Sequence, residues 1–138
     1  MREILFRGKR IDNGEWVEGH LIWCEDGRAR IIPSHTDIFC YEMDESIIQT
    51  VAHRVIPETV GRYTGLTDKN GNKIFEGDVL ATPVDYLGAV MDIVKYKNGS
   101  FWRINGARDK PYLKGAALSK VIGNIHDNPE LLDGVENG

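Results

Sequence analysis

Cysteine is scarce in this chain: Cys24 and Cys40 are the two in 138 residues. An isolated pair makes neither a disulfide framework nor a C-x-x-C motif, so the fold must rest on its apolar core. A long apolar stripe at period 3.6 is missing as well, which argues against a helical bundle. No apolar run reaches the ~20 residues of a membrane-crossing helix. The opening MREILFRGKR lacks the apolar stretch of a signal peptide. The expectation is one domain over residues 1–138 in a reducing cytoplasm, with no membrane partner. There is no P-loop, G-x-G-x-x-G or H-E-x-x-H motif, no internal repeat and no low-complexity tract.

What the chain does have is glycine, 15 of them, among many Val, Ile, Thr and aromatic residues. That mixture points to short strands and tight turns. Three Asn-Gly pairs stand out: Asn13-Gly14, Asn70-Gly71 and Asn98-Gly99. Both residue types tolerate the positive φ of a two-residue type I′ hairpin, so each pair proposes a register. At the first, Phe6 faces Leu21, Gly8 faces Gly19 and Lys9 neighbours Glu18. Ile4, Phe6, Val17, Leu21 and Trp23 then line a core face, while Arg7, Lys9, Glu18 and His20 line a mostly wet one. Asp26-Gly27 proposes a return strand through Ile31 and Ile32, giving an antiparallel meander over residues 2–33.

The second pair places Asp68 opposite Lys73 as an exposed charge pair, and Leu66 opposite Phe75. Glu76-Gly77-Asp78 then reads as a glycine corner, with Asp78 bonding backbone amides there. Such a corner curls a small sheet toward a barrel. The third pair places Tyr96 opposite Phe101, Lys95 opposite Trp102 and Ile93 opposite Ile104. Both faces of that hairpin carry apolar residues, so each is expected to be covered. Val121–Ile125 reads as a strand, and Asn128-Pro129 as the cap and first position of a short helical turn. The organisation expected is mainly β: the meander at 2–33, an irregular connection at 34–54, a curled barrel-like (SH3-like or pseudo-barrel) unit at 55–126, and a short helical turn and tail at 127–138.

Three phrases carry a resemblance: R2-E-I-L-F-R7, P57-E-T-V-G-R-Y-T-G-L-T-D-K-N-G-N-K-I-F-E-G-D-V79 and V121-I-G-N-I-H-D-N-P-E-L-L132. In this order they resemble the YopX family of phage and prophage proteins over almost the full length. The resemblance implies a β-rich fold, a phage or prophage origin and a bacterial cytoplasm. It brings no catalytic residues, because the phrases consist of turn glycines and strand hydrophobes. Where the family carries an aromatic residue this chain has His126, whose imidazole fills the same slot.

Neither Cys24 nor Cys40 is paired in sequence with a base and an orienting acid. His20 and Cys24 on one strand lie ~13 Å apart by strand rise, too far to share a metal, and adding His35 and Cys40 gives no close ligand pair. Glu76 and Asp78 flank a turn and lack the opposed environments that proton transfer requires. No catalytic residue, metal or cofactor is therefore expected. The charge is uneven: residues 1–60 hold 7 Lys/Arg against 11 Asp/Glu, residues 61–125 hold 10 against 6, and 126–138 hold none against 4. The basic middle contains a candidate nucleic-acid surface: Lys95, Lys97, Trp102, Arg103, Arg108 and Lys110, within a stretch that also carries Tyr112 and Lys114. Small β units can stack bases on sheet aromatics inside a basic groove. The favoured reading of the same residues places Trp102 in the core, with the lysines solvating a turn. The function expected is a non-enzymatic accessory role through association with itself or with another phage or host protein, with nucleic-acid binding as the alternative.

Overall fold

The computed structural model describes residues 4–34, 49–84, 86, 88–105, 109–111 and 115–136. The chain is mainly β and divides into two units, residues 1–62 and 63–138. In the first, β1 (Phe6–Lys9), β2 (Trp16–Trp23), β3 (Ala29–Pro33) and β4 (His53–Arg54) lie in the order β4-β3-β2-β1. The start of β5 (Gly61–Thr67) adds to β1 through Arg62 and Gly61. Every pairing is antiparallel, and the meander expected from the turns is present. Of the connection expected at 34–54, residues 35–48 lie outside the described residues.

The first hairpin departs from the two-residue turn. Phe6 pairs with Gly19, Arg7 with Glu18, Gly8 with Val17 and Lys9 with Trp16. A longer loop replaces the type I′ turn: Arg10 N–H donates to the Glu15 carbonyl at 2.8 Å and Gly14 N–H to the Arg10 carbonyl at 3.0 Å. Asn13 uses its side chain, accepting the Glu15 N–H at 2.9 Å, and only Gly14 takes a positive φ. The slip is by two residues. An even slip keeps every side chain on its face, so Phe6, Val17 and Leu21 still pack on Ala29, Ile31 and Val55. Ile4 and Trp23, at the far end of that face, are exposed. The opposite face is not mostly wet, because Leu5, Arg30 and Ile32 are buried on it.

In the second unit β5 forms a hairpin with β6 (Lys73–Phe75). There follow β7 (Asp78–Pro83), β8 (Ala89–Lys97), β9 (Ser100–Ile104), β10 (Lys110–Pro111), β11 (Lys120–Asn124) and α1 (Leu131–Glu136). They form an open sheet of order β10-β9-β8-β7-β11, not closed into a barrel. The corner is real: Gly77 has φ +94°, and its N–H donates to the Val94 carbonyl at 2.8 Å. Asp78 accepts the Phe75 N–H at 2.8 Å, the backbone role expected of it.

The second hairpin, like the first, is longer than two residues. Asp68 N–H donates to the Asn72 carbonyl at 2.8 Å and Gly71 N–H to the Asp68 carbonyl at 3.1 Å. Lys73 therefore faces Thr67, and Tyr63 faces Phe75 across a bulge. Asp68 is buried rather than half of an exposed charge pair. The third hairpin has the expected register throughout, from Lys97↔Ser100 to Ile93↔Ile104. Asn98 and Gly99 have φ of +52° and +83°, as a type I′ turn requires.

The sheet is covered on both faces. Leu80, Val94 and Phe101 pack with Ile74 and Ala116 on one. Val79 and Ile93 pack with Ile122, Ile125, Leu131 and Leu132 on the other. The Asn128 side chain does not cap α1. It accepts the Asn124 N–H at 3.2 Å instead, while Leu131 N–H bonds the Asn128 carbonyl.

Candidate functional site

The candidate surface lies on the β8–β9 hairpin, and the alternation of strand residues divides its members between two faces. Lys95, Lys97 and Trp102 share the face of Ile93 and Ile104, whereas Arg103 shares the opposite face with Val94 and Phe101. Trp102 is half-buried and lies outside the Val79–Ile93 cluster. Its indole N–H donates to the Lys97 carbonyl at 3.2 Å, and the Lys97 ammonium sits 4.7 Å from the ring centroid. The same ammonium is 3.5 Å from the Asp109 carboxylate. Lys95 is the exposed cross-strand neighbour of Trp102, as the register predicts, while the ammonium over the ring is that of Lys97.

Arg103 leaves the set for a physical reason. Its guanidinium and the Asp92 carboxylate are 3% and 2% exposed and meet at 2.6 Å. A second bond runs from Nε to the same Oδ2 at 3.0 Å. The guanidinium also donates to Thr82 Oγ1 at 2.7 Å, and the Thr82 and Ser119 hydroxyls meet at 2.6 Å. A buried charge so committed cannot turn outward to a phosphate without leaving Asp92 uncompensated. Arg108, Tyr112 and Lys114 lie outside the described residues, and Lys110 is placed only as backbone, opposite Arg103 in β10.

Among the described residues the site is an indole flanked by two lysines, one of them shared with Asp109. A stacking base would have to displace Lys97, giving up ~0.5–1 kcal/mol of cation–π attraction for ~1–3 kcal/mol of stacking. The exchange is feasible for one base, and among the described residues Lys95 and Lys97 are the cations beside the indole that a phosphate could meet.

The other candidates are placed as follows. His20 is exposed, Cys24, His53 and His126 are half-buried, and His35 and Cys40 lie outside the described residues. Among the described residues no three His, Cys, Asp or Glu side chains converge as metal ligands. His126 sits in the turn after β11, where its N–H and that of Asp127 donate to Asn124 Oδ1. The reading of the sequence missed two buried groups. Asp68 accepts the N–H groups of Asn70, Asn72 and Val121, each at 2.9 Å. Arg30, also buried, meets Asp26 at 3.1 Å. The Asp68 signal was present as D-K-N-G, since Asp at the first and Gly at the fourth position mark a type I turn.

The family model described as YopX protein matches residues 5–133. The crystal structure of protein EF1440 from Enterococcus faecalis is similar, with a TM-score of 0.58 and 26% identity over 96% of this chain and 99% of that one. No curated protein matches the chain. Among the described residues no helix is long and apolar enough to cross a membrane.

Proposed function

The chain belongs to the YopX family, and from that premise we propose that it is a non-enzymatic accessory protein of phage or prophage origin. It works in the bacterial cytoplasm by binding protein, whether a second copy of itself or a phage or host partner. One observation carries this reading: large apolar side chains stand in solvent, with Tyr86 94% and Leu118 70% exposed. Aromatic and aliphatic anchors of this kind bury readily against a partner. The buried carboxylates serve the fold: Asp78 at its corner, Asp68 at its turn and Asp92 with Arg103.

The alternative is binding of single-stranded nucleic acid at Trp102, Lys95 and Lys97, favoured by the half-open indole. Light scattering with and without single-stranded DNA at two salt concentrations separates the two readings. Protein association predicts a mass above one chain that falls in Tyr86→Ser or Leu118→Ser and ignores DNA. Salt-sensitive DNA binding that quenches tryptophan fluorescence and is weakened by Lys95→Glu would replace the first reading with the second.

A further inference from the structure

β11 is an edge strand among the described residues, with one side paired to β7 and no described strand on the other. The outward N–H and C=O groups of such a strand are a template for another chain. Here three such groups are engaged. Lys120 pairs inward with Ala81, so the groups flanking it, the Ser119 carbonyl and the Val121 N–H, point outward. An added antiparallel strand would meet this pair with one N–H and one carbonyl. The β5–β6 turn supplies substitutes: Lys69 N–H donates to the Ser119 carbonyl at 2.9 Å, and Asp68 Oδ2 accepts the Val121 N–H at 2.9 Å. At the far end of the strand, Asn128 Oδ1 takes the Asn124 N–H at 3.2 Å.

We propose that the β5–β6 turn is a built-in cap on this edge, imitating the contacts of a strand and keeping β11 from pairing with an extended segment of a second copy of the chain. Asp68 divides its carboxylate between two tasks. Oδ1 accepts the N–H groups of Asn70 and Asn72 and shapes the turn; Oδ2 faces the Val121 N–H and the Asn72 side-chain amide. Turn and cap are thus chemically separable. Leu118 adjoins Ser119, but the cap acts through backbone groups and the Asp68 carboxylate. The partner reading rests on the Tyr86 and Leu118 side chains, which both variants below leave in place, so either idea can fail alone.

Two variants test it. Asp68→Asn keeps an Oδ1 for the turn but sets an amide donor against the Val121 N–H. Lys69→Pro removes the other clasping N–H at the second position of a type I turn, where proline is favoured. Exchange of the Val121 amide in dilute solution should rise by about tenfold in Asp68→Asn, the change that one hydrogen bond to a charged group carries. At higher concentration each variant should gain mass relative to the wild type, with Val121 protected again in the associated form. Folded variants whose mass tracks the wild type at every concentration would overturn the proposal, as would an unchanged Val121 amide in Asp68→Asn. If Asp68→Asn fails to fold, the mass of Lys69→Pro decides alone.

Discussion

Burial alone would push the Asp68 carboxyl up, but the amides of Val121, Asn72 and Asn70 and the Asn72 side chain together hold it below its ordinary 3.8. A carboxylate depressed in the folded state adds stability above its unfolded pKa and loses it as pH falls through the folded value. The stability of the wild type should therefore decline below about pH 4, and Asp68→Asn should flatten that decline in denaturant midpoints measured against pH. Asp26, lowered chiefly by its bond from Arg30 and then by the Arg28 N–H, leaves part of the slope in place. Arg103 and Asp92 make a different prediction. Arg103→Ala strands a buried carboxylate and should cost about 3–5 kcal/mol, whereas Arg103→Met with Asp92→Leu should cost far less. Equal losses in the two proteins, read by chemical unfolding, would contradict the buried-pair account.

At the scale of elements, the three Asn-Gly hairpins differ because their neighbours differ. Asp68 precedes the second and takes the turn amides with its carboxylate, so Asn70 never needs a positive φ. Asn13 bonds Glu15 in the same manner. At Lys97-Asn98-Gly99-Ser100 no such acceptor precedes the turn, and Asn98 itself enters the left-handed region. Asn98→Ala should thus cost about 1–2 kcal/mol, and Asn70→Ala less than about 0.5 kcal/mol. A larger loss at Asn70 would contradict this division. Gly77, at φ +94° in the corner, should cost about 1 kcal/mol or more when changed to Ala. An unchanged melting midpoint would remove the corner's need for glycine.

For the whole molecule, charge and topology pull against the basic-surface idea. The net charge is −4, and among the described residues the candidate face retains Lys95 and Lys97, the latter beside Asp109. Titration with single-stranded DNA at moderate salt should leave the tryptophan fluorescence unchanged. Binding that survives removal of the exposed lysines would locate any nucleic-acid site elsewhere.

Local chemistry was legible without tertiary structure. The third hairpin's register, the Gly77 corner, the Asp78 amide bond and the face occupied by Phe6, Val17 and Leu21 all follow from neighbours a few residues apart. The family was legible too, since its phrases are those same turns and strands. Tertiary structure decided what depends on distant partners. Arg103 and Lys97 are both cations near one turn, but strand alternation buries the first against Asp92 and leaves the second over Trp102. Asp68 reads as a surface acid until β11 arrives, 53 residues later in the chain, and presents it with the Val121 N–H. A side chain's conformational preference is set by its immediate neighbours, whereas the burial of a charge depends on which strands the topology brings alongside it.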